Sequence, residues 1–345
     1  MYQNKYFVYS KYLKFFKRTT AFLLVVLVLM GFYSFNSLAI SNSVLERVKG
    51  RKGVHCGSVS RPGLAELTNQ GDWRGLNVDI CRAISIAILG SHGSFKYHQY
   101  DTLEDFKSIK SQQDDVYFLT GSEIRNQNLA GKLIPISPIF IESHAVMVPD
   151  DSSVQHLNDL AEQSICFLIG TSVERSLESY FEFHGLKWLR QAFSEESEMI
   201  DSYNVQHCQA IAGEITTLAG IRSNDQGINH LSSRILTEPL LNFPVLATVT
   251  TKDGQWAAIV DWALSTLISV ERNESRWYAN GVKGILVEAP ELGFDPQWQY
   301  TMLTAVGHYG DIFERNLGQK STLKLNRALN INQFFGGSLI SPLLE

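Results

Sequence analysis

Ser164-Ile-Cys-Phe-Leu-Ile-Gly-Thr-Ser-Val-Glu174 decides the fold class of this chain. Its first half is a short apolar run rich in Ile and Phe, the pattern of a buried strand. The run stops at Gly170, and Thr171 stands three residues before Glu174. That spacing is a capping box, which predicts a helix starting at Thr171 and burying Val173, Leu177, Tyr180 and Phe181. A strand that turns through glycine into a capped helix leaves free backbone N–H groups and a positive dipole end facing outward. Such an end accepts anions, carboxylates among them. The same residues also describe an ordinary α/β turn with nothing bound, so their meaning depends on the rest of the chain.

Around this stretch, strand-like and helix-like periods alternate. Asn77 to Leu89 reads as a helix closed by Gly90, and Thr102 to Ile109 as another, with Thr102 as its cap. Val116 to Leu119 and Ala145 to Val148 read as buried strands. After the capped helix come a helix over Glu195 to Val205, a strand near Ala210, a strand at Val245 to Val249, and a long amphipathic helix from about Trp256 to Ser269. Such alternation predicts an α/β fold with largely parallel sheets. The chain has 345 residues, more than one typical domain, which predicts two. It has no internal repeat and no Pro-rich or Ser-rich linker, so it is expected to cross between them in ordered strands.

The N-terminus has a different character. Lys5, Lys11, Lys14, Lys17 and Arg18 precede the apolar run Ala21 to Tyr33, and Ser37-Leu38-Ala39 follows with small residues where a signal peptidase reads. This layout predicts a secretory signal peptide over residues 1–39, cleaved after Ala39, and an exported protein, with an uncleaved anchor as the alternative. The run is short for a membrane span of about 20 residues. Cleavage removes five basic residues and no acidic ones, taking the net charge from −5 to −10. An acidic exported chain is a poor partner for nucleic acid, and none is expected. The four cysteines fit export. Three pairings are open, and the expected one is Cys56–Cys81 and Cys166–Cys208, one bridge in each domain. No CxxC pair occurs, which excludes zinc and thioredoxin-type redox sites.

Enzyme chemistry is not expected. HExxH, GxSxG, P-loop and GxGxxG patterns are all missing, and the nine histidines are scattered. His144 falls on a central strand and reads as a satisfied histidine of the core or hinge. The acidic pairs Asp114-Asp115, Asp150-Asp151 and Glu195-Glu196 read as solvated turns and helix starts. Neither metal nor cofactor is expected.

Three stretches carry a family resemblance: Gly75-Leu-Asn-Val-Asp-Ile-Cys-Arg-Ala83, Ser164-Ile-Cys166 with Gly170-Thr171, and Ala305-Val-Gly-His-Tyr-Gly-Asp-Ile-Phe-Glu-Arg-Asn-Leu-Gly318. From about Leu45 onward the chain resembles the periplasmic general L-amino-acid-binding proteins of ABC uptake systems, and all four cysteines fall where that group carries its own. The resemblance implies an α/β, two-lobed periplasmic-binding-protein clamp of type II, with crossing strands near Ser143 to Val148 and Pro244 to Val249. One lobe would combine residues 40–142 and 248–345, and the other would span 143–247. A small-molecule ligand, an amino acid or amine-bearing solute, would bind between the lobes of a monomer. The closed form would then reach a membrane ABC permease. The alternative partner is a sensory receptor, in which case amino-acid binding is altered or lost.

Amino acids demand that a carboxylate and an ammonium both be paired as they leave water. The resemblance implies Glu214 as the ammonium partner, where the family usually has Asp, and Gly170, Thr171 and Ser172 as the helix end. It also implies an Arg-Asn-Thr-Thr-Trp-Thr motif where this chain reads Leu119-Thr-Gly-Ser-Glu-Ile-Arg125. Leu119 stands at the Arg position and Glu123 at the Trp position, while Thr120, Gly121 and Ser122 stay small and polar. A leucine cannot replace a charged fork. Either Arg61, in the loop Ser60-Arg-Pro-Gly-Leu-Ala-Glu66, supplies the missing cation, with Arg125 as second choice, or the ligand is not a standard α-amino acid.

Overall fold

The structure is a computed structural model that describes residues 43–100, 114–126, 128–224, 231–250, 252–272 and 289–341. The signal peptide expected over residues 1–39 and the helix expected at Thr102 to Ile109 lie outside the described residues.

Helix α1 (Val44–Arg51) leads into β1 (Gly53–Ser58), the short pair β2 (Glu66–Leu67) and β3 (Trp73–Arg74), and helix α2 (Leu76–Leu89). Gly75 sits at φ 131, and a Cβ there would lie 2.2 Å from the Leu64 carbonyl oxygen, so only glycine opens α2. Strands β4 (Ser94–Gln99) and β5 (Val116–Thr120), helix α3 (Gly121–Asn126) and the long strand β6 (Leu133–Pro149) follow. Next come β7 (Ser164–Leu168), α4 (Ser172–Phe183), β8 (Leu189–Phe193), α5 (Glu196–Asn204), β9 (Ala210–Glu214), α6 (Ile215–Ser223), β10 (Ser233–Ile235) and β11 (Leu241–Thr250). Three helices complete the described chain: α7 (Gly254–Arg272), α8 (Trp298–Val306) and α9 (Tyr309–Asn316). No helix among the described residues is long and apolar enough to cross a membrane.

One sheet runs in the order β4-β1-β5-β11-β6-β9-β7-β8, with β10 also on β6. β1 is parallel to β4 and β5, and β7 is parallel to β8 and β9. The expectation of largely parallel sheets holds within each end but not at the centre. There β6 and β11 pair antiparallel over ten registered positions, and each is antiparallel to the outer strand beside it. The two long strands therefore run through the middle as a shared ribbon, broken in register near Val245/Leu246.

The core divides on either side of that ribbon. On the β1 side, Val54, Ile80, Ile84, Val116, Ile259, Ala263, Met302 and Phe313 belong to one large apolar cluster. On the β7 side, alternation sends Ile165 and Phe167 to one face with Leu177 and Phe181 of α4, and Cys166 to the other with Met199, Tyr203 and Leu218. Burying each such large side chain stabilises the fold by about 1.5–3 kcal/mol. Helix α4 behaves as its spacing predicts, except that Tyr180 stays half-buried with its hydroxyl on Asn158.

The disulfides are Cys56–Cys81, tying β1 to α2, and Cys166–Cys208, tying β7 to the turn before β9. Two of the sequence stretches that carry the resemblance also meet. Asp79 of α2 accepts hydrogen bonds from Arg315 Nε at 2.8 Å and Asn316 Nδ2 at 2.7 Å. The C-terminal helices are thereby fastened to the first part of the chain. Asp114 and Asp115 are not solvated turn acids: both are buried. Asp115 pairs with Arg47 and Arg51 of α1 and accepts from the His55 N–H, while Asp114 takes the Tyr100 hydroxyl and His98 Nδ1. Buried carboxylates of this kind demand partners, and the first helix supplies two of them.

Candidate functional site

The two Thr-x-x-Glu stretches of the chain open helices at comparable places, after β5 and after β7. At the second, the Thr171 hydroxyl donates to the Leu168 carbonyl at 2.8 Å and accepts from the Glu174 N–H at 3.4 Å, making Thr171 the N-cap. The Glu174 carboxylate reaches past the cap to the Gly170 N–H at 2.7 Å and also pairs with Arg190. The helix thus begins at Ser172, one residue later than the spacing predicts, and its cap is held from within. Gly170 is exposed at φ 77, and Thr171 and Ser172 are half-buried.

The first box, Thr120-Gly-Ser-Glu123, has the same spacing, and it positions the carboxylate of Glu123. The Thr120 N–H donates to Glu123 Oε2 at 2.7 Å, and Thr120 Oγ1 accepts from the Glu123 N–H at 3.2 Å. Thr120 is buried, whereas Gly121 and Ser122 are exposed. The reciprocal pair fixes the Glu123 carboxylate and leaves its other oxygen turned toward Arg61.

Arg61 is 8 % exposed. Its backbone is pinned by hydrogen bonds with Ala65 in both directions, and Pro62 beside it packs so closely on α6 that a Cβ at Gly220 would lie 2.9 Å away. Its Nη2 donates to Glu123 Oε1 and its Nε to Glu214 Oε2, each at 2.8 Å. The Glu123 and Glu214 side chains are 17 % and 23 % exposed. Burial works against the guanidinium charge, and the two carboxylates outweigh it, so the Arg61 pKa is raised. One arginine from the loop after β1 therefore joins the helix after β5 to the end of β9. Arg61 Nη1 and Glu214 Oε1 make no hydrogen bond to a described residue, so a donor group and an acceptor stand unused beside this bridge.

Behind Glu214 lies a third carboxylate, Glu142 of β6, which is completely buried. Its Oε1 accepts from the Ser143 and Ile215 N–H groups, and its Oε2 from the Thr216 hydroxyl at 2.7 Å. Burial and the neighbouring Glu214 charge push its pKa up to about 7. On the next inward residue of β6, His144 is registered with Glu214, sits against the Phe243 ring, and contacts Ser176 Oγ at 2.7 Å and Ser172 Oγ at 3.2 Å. Burial lowers its pKa, against the pull of Glu214, and holds it toward the neutral form. His144 is thus a satisfied strand histidine, as its position suggested.

Of the expected residues, Arg61 and Glu214 are brought into direct contact, Thr120 supports them through Glu123, and Ser172 approaches through His144. Arg125 is exposed on α3. Leu119 is fully buried in a small apolar cluster with Tyr117, Ile124 and Leu133, which is where its side chain belongs by transfer energy.

Comparison with known proteins agrees with this architecture. The chain is 28 % identical over 322 residues to the general L-amino acid-binding periplasmic protein AapJ of Rhizobium johnstonii, covering 88 % of this chain and 93 % of that one. It is 25 % identical to the glutamate/glutamine/aspartate/asparagine-binding protein BztA of Rhodobacter capsulatus, covering 88 % and 94 %. Among solved structures, an ABC transporter/periplasmic binding protein from Brucella ovis with glutathione bound superposes with a TM-score of 0.72 at 26 % identity, covering 88 % of this chain and 99 % of that one. No family model matches the chain. These relatives are binding components of transporters, not enzymes.

Proposed function

We infer that the chain is a periplasmic solute-binding protein of an ABC transporter, which captures an amino acid or amino-acid-like solute and delivers it to a membrane permease. The observation that carries this reading is the pair of unused groups at the bridge. Arg61 Nη1 offers N–H donors for a carboxylate, and Glu214 Oε1 offers an acceptor for an ammonium. The two stand on one guanidinium–carboxylate pair, so a single α-amino acid can reach both. Ser172, whose hydroxyl contacts His144 beside Glu214, lies on the Glu214 side as a further polar group. Arg61 thereby takes the role that a leucine at position 119 cannot fill.

The lobes of this reading are residues 40–142 with 248–345, and residues 143–247. The division of the apolar core on either side of β6 and β11 supports them. Arg61 and Glu123 come from the first and Glu214 from the second, so closure is what assembles the site, and a solute favours closure by contacting both sides at once. Export behind a cleaved signal peptide fits the relatives' periplasmic location.

Glu214→Gln tests the role of the ammonium partner. Calorimetric titration of the ligand-stripped variant with the amino acid that the wild type binds is expected to give affinity weaker by at least about tenfold, since a charged contact is lost. Affinity equal to that of the wild type would remove Glu214 from the site.

A further inference from the structure

The balance of charge at this cleft is uneven. Glu123 and Glu214 both face the single guanidinium of Arg61, and Glu142 lies wholly buried behind Glu214. Among the described residues no second cation comes within ion-pair distance of either carboxylate. Arg125 and Arg175 are exposed on α3 and α4, and His144 is held toward its neutral form. Arg61 itself is more than nine-tenths buried, and among the described residues its Nη1 has no hydrogen-bond partner, which marks the bridge as a place where a ligand completes the bonding.

We propose that the cleft selects solutes of net positive charge, and that Glu123 is the residue that sets this preference. The inference rests on the reading of the bridge as an amino-acid site. Closing over a neutral zwitterion satisfies Arg61 Nη1 and Glu214 Oε1 but leaves an excess negative charge shut away from water, which is costly. An acidic solute adds to that excess. A solute with a second ammonium or guanidinium cancels it. Glu214 is committed to the α-ammonium, so the excess charge is that of Glu123, whose carboxylate the Thr120 amide holds in place.

The test is calorimetric titration of ligand-stripped wild type and Glu123→Gln with L-lysine, L-norleucine and L-glutamate. Lysine and norleucine differ in little but the terminal charge. Glutamine still serves the third position of a capping box, so the local fold is kept. Wild type is expected to prefer lysine to norleucine by at least about tenfold, the scale of one charged contact, and to bind glutamate weakest. In Glu123→Gln the lysine/norleucine ratio is expected to fall to within about threefold, a difference well under one charged contact. Equal wild-type affinities for lysine and norleucine would overturn the charge selection and leave the amino-acid reading intact. A ratio unchanged in the variant would remove Glu123 as its origin. Absence of binding by all three would overturn the amino-acid reading and this inference with it. The wild-type ratio decides the first point even if the variant does not fold.

Discussion

Arg61→Ala is expected to lower the free energy of unfolding by about 3–5 kcal/mol, the loss seen when one partner of a buried ion pair is removed. The reason lies less in the bonds lost than in the groups left behind. Glu123 and Glu214 are each less than one-quarter exposed and would face each other without a counter-ion. A variant that also carries Glu123→Gln and Glu214→Gln should recover part of the loss, because the three substitutions act on one network and are not additive. Chemical denaturation of the single and triple variants measures this. A single-variant loss below about 1 kcal/mol, typical of a surface pair, would mean that the bridge is solvated in solution. The same Arg61→Ala protein should no longer bind any solute through its carboxylate.

Glu142 gives the second large effect. In the unfolded chain a glutamate ionises near its ordinary 4.5, whereas native Glu142, buried beside the Glu214 charge, keeps its proton up to about 7. Between those values the native state holds one more proton than the unfolded state, so stability falls as pH rises through that window and levels off above it. The shift corresponds to a loss of about 3 kcal/mol from pH 4.5 to pH 8. Glu142→Gln removes the titration while keeping an acceptor for the Ser143 and Ile215 amides, and its stability should vary less with pH across that interval. Parallel pH profiles for wild type and Glu142→Gln, from urea unfolding, would show that Glu142 is ionised in the native protein throughout. Arg61, bound to Glu214, stays charged across the window and does not add to the slope.

Local patterns in the sequence carried most of the fold. Thr171-x-x-Glu174 placed a helix within one residue of its observed start because a cap is a contact between near neighbours. Helix α2 was legible as Asn77 to Leu89, one residue short of its observed start at Leu76, with Gly90 closing it. Strand β6 was legible only at Ala145 to Val148, since Pro135 and Pro138 interrupt the period over its first half. The antiparallel centre of the sheet was hidden because strand direction is set by pairings between 97 and 117 residues apart.

The site was legible in its members and not in their arrangement. Arg61 and Glu214 were both recognisable as candidates, one for a carboxylate and one for an ammonium, yet they lie 153 positions apart and hold each other. Glu123 had a local signal, the Thr120-x-x-Glu123 box, which the mismatch with the family's Arg-Asn-Thr-Thr-Trp-Thr pattern obscured. Glu142 had none: an isolated acid among apolar neighbours reveals its burial only when the elements covering it, here the start of α6, are in place. Asp114 and Asp115 misled for the opposite reason. Adjacent acids usually mark a solvated turn, and only the arrival of Arg47 and Arg51 from α1 at Asp115, and of His98 and Tyr100 at Asp114, makes their burial tolerable.

Solute capture is measured most directly by a thermal-shift screen of purified, ligand-stripped protein against the common L-amino acids, polyamines and short peptides. A ligand present at about 100 times its dissociation constant stabilises the native state by about 2.7 kcal/mol. For a chain of this size that is a rise of several degrees in Tm. A rise with at least one amino acid, cut to about half or less in Glu214→Gln at the same ligand concentration, is the result predicted here. A well-folded protein whose Tm no amino acid, amine or peptide moves would contradict it.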